Sequence, residues 1–153
     1  MIPENLRDNQ LASALDGLAA TAKFEFGELT IEVEPANIIE VLRRLKHDLK
    51  FERLSTVTAV DRYPAEPRFE IVYHLQSIAS NQRVRLKARV SGENPEIESA
   101  FSVYRSANWY EREVFDLFGV RFLNHPDLTR IMMPDDWVGH PLRKDVPVTG
   151  TRY

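Results

Sequence analysis

The 153-residue chain contains no cysteine. That absence excludes disulfides, cysteine-ligated zinc, thiolate-held iron–sulfur clusters, c-type haem attachment and cysteine nucleophiles. Glycine is scarce, with six residues in all, and neither GxGxxG nor GxxxxGK[ST] occurs, so nothing announces a nucleotide loop. No apolar run approaches the roughly 18 residues of a membrane span. The start, Met1 to Asp8, lacks the basic beginning and apolar run of a signal peptide. An intracellular, soluble chain is expected, with any membrane association made through partners. A basic surplus is also missing. Twenty Lys and Arg stand against 23 Asp and Glu, a net charge of −3, which offers no general field for nucleic acid or anionic lipid.

What is present suffices for one ordinary core, since 43% of the residues are hydrophobic. Leu6, Leu11, Ala14, Leu15 and Leu18 predict a first amphipathic helix over residues 4–20. From Lys23 to Glu34 the pattern alternates and breaks at Gly27, as in a strand pair or one bulged strand. Pro35 then suits a helix start, and Ile38, Val41, Leu42, Leu45 and Leu49 fall on one helical face. Three extended runs follow: Phe51 to Tyr63, Arg68 to Gln76 and Arg83 to Val90. Pro95 is expected to open a helix containing Ile97, Ala100, Phe101 and Tyr104. A further helix is expected from Asn108, with Glu111 in a capping-box position, ending at Gly119. The fold class is α+β: one mixed, largely antiparallel sheet of about four or five strands with helices on one face. Residues 1–120 form this domain. Residues 121–153 form an extended tail belonging to the same unit, because prolines at 126, 134, 141 and 147 forbid regular structure while Phe122, Leu128, Met132, Trp137 and Leu142 must lie on something.

Three constellations invite a chemical reading. Glu111, Glu113 and Asp116, with Arg112 among them, offer carboxylates for acid–base work, yet no nucleophile or metal motif accompanies them, which favours ion pairing and capping. His125, Asp127, Asp135, Asp136 and His140 are metal-type ligands whose spacing matches no motif of known geometry. His125-Pro126 and His140-Pro141 read better as rigid turns. Arg130, Arg143 and Lys144, with Arg121 nearby, suit a phosphate, but interleaved aspartates favour internal or intersubunit salt bridges.

In order, Glu111-Arg112-Glu113-Val114-Phe115-Asp116-Leu117-Phe118-Gly119-Val120-Arg121-Phe122, His125-Pro126-Asp127-Leu128-Thr129-Arg130-Ile131 and His140-Pro141-Leu142-Arg143-Lys144-Asp145 with Pro147 resemble a family signature. It is that of the C-type subunit of proton-translocating NADH:quinone oxidoreductase, respiratory complex I. The resemblance implies a non-catalytic scaffold subunit in the quinone-reducing module of the peripheral arm. It also implies a place on the cytoplasmic face of a bacterial inner membrane, packed against the D-type, quinone-site subunit and near the cluster-bearing subunits. No cofactor is implied on this chain; FMN, iron–sulfur clusters and quinone belong to partners. On this reading Trp109 to Pro147 is a docking segment, with Phe115, Phe118, Phe122 and Trp137 as anchors and Arg112, Arg130 and Arg143 setting register. Two rivals stand beside it. One is the equivalent subunit of a membrane-bound hydrogenase, a chloroplast-type NDH complex or a dehydrogenase of reduced coenzyme F420. The other is a free-standing hydrolase using Glu113, Asp116 and His125.

Overall fold

The computed structural model describes residues 9–150. Its centre is a five-stranded sheet in the order β1-β2-β5-β4-β3, formed by β1 (Ala19–Glu25), β2 (Glu28–Val33), β3 (Arg53–Asp61), β4 (Phe69–Ser77) and β5 (Gln82–Val90). Neighbours run antiparallel except β2 and β5, which are parallel. The alternation from Lys23 to Glu34 is a strand pair. Phe26 and Gly27 both take positive φ, 53° and 77°, the geometry of a tight two-residue hairpin that matches strand twist.

Period-2 patterning decides which face is covered. Val84, Leu86, Ala88 and Val90 of β5 are buried together with Leu75, Tyr73, Ile71 and Phe69, their cross-strand partners on β4. The helix α2 (Ile38–His47) lays Ile38, Val41, Leu42 and Leu45 into the same core. Burying such a side chain contributes about 1.5–3 kcal/mol. The helix α3 (Ala107–Phe118) joins this core through Ala107 and Val114. The opposite face of the sheet carries Arg83, Arg85, Lys87 and Arg89, the alternate residues of β5.

Several local expectations change. Helix α1 is only Gln10–Ala14, capped by the Asn9 side chain, and β1 already begins at Ala19; the part of the expected helix before residue 9 lies outside the described residues. No helix opens at Pro95. Instead β6 (Glu96–Glu98) pairs in parallel with β7 (Arg121–Leu123), and a single 3-10 turn spans Ala100–Ser102. The backbone of 96–98 finds hydrogen-bond partners 25 residues away, which local propensity does not register. Helix α3 starts at Ala107 with no side-chain cap from Ser106, and Glu111 makes no capping box.

Candidate docking site

A helix leaves its last four carbonyls without intrahelical partners. In α3 these belong to Phe115, Asp116, Leu117 and Phe118, and the tail answers almost all of them. Gly119, in the left-handed conformation at φ 78°, donates its N–H to Phe115. His140 Nδ1 lies 2.9 Å from the Asp116 carbonyl, the Leu142 N–H donates to Leu117 at 3.1 Å, and Arg143 Nε donates to Phe118 at 2.6 Å. Because a carbonyl only accepts, the His140 Nδ1 carries the proton. Burial, aided by the nearby Arg143 and Arg130 charges, holds this imidazole below its ordinary pKa despite that bond. Cations gathered at a helix C-terminus also oppose the negative end of its dipole.

Asp116 organises the approach of the tail. Its Oδ2 accepts three consecutive backbone N–H groups, from Ile131 at 3.1 Å, Met132 at 2.7 Å and Met133 at 2.9 Å, while Oδ1 takes Arg130 Nη1 at 2.7 Å. Burial works to raise this carboxyl, but the three N–H groups and the guanidinium outweigh it and hold the pKa below the ordinary value. The same Arg130 reaches the carbonyls of Trp137 and Gly139 at 3.1 and 3.0 Å. Arg112 grips the preceding turn through the Thr129 carbonyl and hydroxyl.

A second latch joins the tail to the sheet. Arg68 forms a two-armed pair with Asp61, both contacts at 2.9 Å, and reaches Asp145 at 2.8 Å. Asp61 also accepts the Lys144 N–H at 2.8 Å. The Arg68 guanidinium therefore holds the Asp61 carboxyl well below the usual carboxylate range. Arg143 lies over the Phe69 ring, and Phe118 meets Phe69 edge to face.

The other end of α3 is different. Glu111 is wholly buried, with Oε1 accepting the Ala100 N–H at 2.6 Å and Oε2 the Ser99 hydroxyl at 2.5 Å. Burial dominates and pushes its pKa up to about 7. His125 sits 3.9 Å away; its Nδ1 accepts the Asp127 N–H, so its Nε2 proton donates to the Asn108 carbonyl at 3.1 Å.

Motif residues thus divide by direction. Glu111, Arg112, Asp116, Gly119, Phe122, His125, Arg130, His140, Arg143 and Asp145 turn onto their own domain, and Phe122 is a core residue at 2% exposure. Arg112, Arg130 and Arg143, read from sequence as register-setting cations, engage this chain's own carbonyls and Asp116 here. Pro141 sits in the turn closed by the Arg143 N–H on the His140 carbonyl at 3.3 Å, where its fixed φ suits the second turn position. Outward point Met132, Trp137, Val138 and Leu142, which are 62%, 44%, 91% and 53% exposed.

The hydrolase trio is not assembled. Asp116 is filled by four donors. His125 contacts Asn108, eight residues before Asp116 and about 12 Å away along the helix. Glu111, not Glu113, lies beside that imidazole. Among the described residues, no group of three or more His, Cys, Asp or Glu is placed to hold a metal, so His125, Asp127, Asp135, Asp136 and His140 do not converge. Asp61, Arg68 and Ser99 went unforeseen, because neither spacing nor motif links them to α3.

Fold and site define a sheet domain braced by its own C-terminal segment, with an apolar outer stripe left uncovered on that brace. Residues 31–152 match the family described as respiratory-chain NADH dehydrogenase, 30 Kd subunit. The C-type subunit of NADH-quinone oxidoreductase from Citrifermentans bemidjiense is 52% identical over 124 residues, covering 81% of this chain and 77% of that protein. The chain belongs to this family. Two solved structures share the fold. A trypsin-resistant fragment of Nqo5 is 30% identical with a TM-score of 0.64, covering 70% of this chain and 88% of that one. A chain of the membrane-bound sulfane sulfur reductase, an archaeal respiratory membrane complex, is 27% identical with a TM-score of 0.77, covering 89% and 82%.

Proposed function

We propose that this chain is a non-catalytic scaffold subunit of a respiratory NADH:quinone oxidoreductase, seated in the peripheral arm within the quinone-reducing module. The observation that carries the reading is the outward stripe of Met132, Trp137, Val138 and Leu142 on a segment already fixed by Asp116, Arg130, His140 and Arg143. A segment ordered before it meets its partner loses little further conformational entropy on docking. Exposed apolar side chains on such a support suit a protein interface.

On this reading FMN, iron–sulfur clusters and quinone are carried by neighbouring subunits, and the quinone-site subunit is the partner that covers the stripe. The complex lies on the cytoplasmic face of a bacterial inner membrane. No helix among the described residues is long and apolar enough to cross a membrane, so attachment is through the complex. The likeness to a chain of a sulfane sulfur reductase supports a scaffold role that is independent of the electron donor.

The test is replacement of Met132 and Val138 by serine, followed by purification of the complex through a different subunit. The expected result is a normally folded chain that co-purifies poorly, with quinone reductase activity falling in step. Wild-type incorporation of the double variant, or a wild-type chain isolated without flavin- or cluster-bearing partners, overturns the proposal.

A further inference from the structure

The uncovered face of the sheet carries a charge pattern that the tail does not explain. Four cations, Arg83, Arg85, Lys87 and Arg89, line one face of the central strand β5 at every second residue. At one end Glu70 gathers Lys87, Arg89 and Arg62 within 3.3 Å, so that end is one ion-paired cluster. The other end is not. Register places Arg53, Gln76 and Arg83 in one row across β3, β4 and β5, and Thr56, His74 and Arg85 in the next. Arg85 is held by Glu28. The guanidinium groups of Arg53 and Arg83 have no hydrogen-bond or ion-pair partner among the described residues. Between these rows lies a groove of about 480 Å³, whose polar lining is Arg53, His74, Gln76, Arg83 and the Arg85–Glu28 pair. Burial, aided by the Arg85 charge, holds the His74 pKa below its ordinary value, which leaves the ring as a neutral hydrogen-bonding group at pH 7.

We infer that this groove binds an extended acidic segment of a neighbouring subunit, whose alternate carboxylates meet Arg83 and Arg53. The inference rests on the scaffold reading, because the segment comes from another subunit of the assembly. Side chains two apart on an extended chain repeat at about 6.8 Å. Arg53 and Arg83 stand about 10 Å apart with one strand between them, so two such carboxylates on a segment crossing β4 lie within reach of both long, flexible guanidinium side chains. A guanidinium fork pairs with a carboxylate through two parallel hydrogen bonds. A uniformly anionic lipid surface fits less well, because Glu28, Glu32 and Glu70 share this face and would be pressed against it. A polypeptide can place carboxylates only where the free arginines are.

The test places a photoactivatable benzophenone amino acid at Gln76 in the intact complex and identifies the crosslinked partner by mass spectrometry. A crosslink to a partner segment with carboxylates at alternate positions is expected. The crosslink should fall at least about tenfold in an Arg53→Glu/Arg83→Glu double variant and persist in an Arg43→Glu/Arg105→Glu control, as displaced electrostatic complementarity requires. A crosslink to lipid, to a segment without acidic residues, or to nothing in a complete complex overturns the inference. A parallel measurement uses the purified chain and a fluorescein-labelled peptide of alternating Glu and Ala, read by anisotropy. Equal weakening in the double variant and the control overturns the inference in favour of diffuse attraction. Failure of the chain to enter the complex at all sinks the scaffold reading, whereas the peptide measurement reads the groove independently.

Discussion

Glu111 and Asp116 lie on the same helix and are both 0% exposed, yet their surroundings push them in opposite directions. Glu111 receives two hydrogen bonds and no cation, so desolvation prevails and its pKa rises to about 7. Asp116 receives three backbone N–H groups and Arg130, so its charged form is favoured and its pKa falls. Burial alone therefore does not set the charge state of a carboxyl; the number of donors aimed at it does. The start of α3 is built around a carboxyl that readily holds a proton, and its end around one that does not. The first braces the turn at Ser99 and Ala100, and the second anchors the tail that carries the outward apolar stripe.

Removing Asp116 should break this comparison most severely. Asp116→Ala leaves Arg130 and three backbone N–H groups without their acceptor, and breaking such a buried pair costs about 3–5 kcal/mol. The melting temperature should fall by roughly 10 °C, with faster hydrogen exchange at Ile131, Met132 and Met133. A fall of less than about 3 °C would show that the tail is held mainly elsewhere.

Next in size is the pH response of Glu111. Its folded pKa, about 7, lies above the ordinary 4.5, so the native state binds the extra proton and stability declines as pH rises from about 4.5 to 7, by up to about 3 kcal/mol. Glu111→Gln should flatten that decline in urea titrations. A slope unchanged by the substitution would mean that Glu111 is not its source. Asp116 and Asp61 have lowered folded values. Their contribution is present above the ordinary carboxylate pKa and lost as pH falls below it, so acid should loosen the tail while the Glu111 end keeps its proton.

Gly119→Ala is expected to cost less, about 1–2 kcal/mol. The left-handed backbone at φ 78° disfavours a side chain, and a new Cβ would stand 2.5 Å from Arg143 Nη2 and 2.6 Å from His140 Cδ2. Limited proteolysis should then cut the tail sooner than in the wild-type chain; equal cutting rates would sever the link between this glycine and the clamp. The smallest effect on the isolated chain belongs to the outward stripe. Met132→Ser and Val138→Ser should each change stability by no more than about 0.5 kcal/mol in denaturant titrations, a null result that separates docking surface from clamp.

Much of the fold was readable because its signals are local. Ile38, Val41, Leu42 and Leu45 mark α2 by helical spacing, and Val84, Leu86, Ala88 and Val90 mark the covered face of β5 by strict alternation. Glu96–Glu98 escapes a local reading because Pro95 resembles a helix start and the strand pairs with the distant Arg121–Leu123. For the site, the motif marks residues of α3 and the tail, but not what they touch. Asp61 and Arg68 flank a proline-rich turn far from the motif, and only folding brings them to Asp145 and the Lys144 N–H.

Composition and periodicity by themselves determined a thiol-free α+β chain, since these properties depend on residue type and near-neighbour spacing, and the ordered motif from Glu111 to Pro147 carried the family resemblance. Only the tertiary structure decided that Asp116, Arg130, His140 and Arg143 face inward while Met132 and Val138 face out. That choice depends on the carbonyls that the end of α3 leaves without intrahelical partners and on the distant tail folding back to meet them.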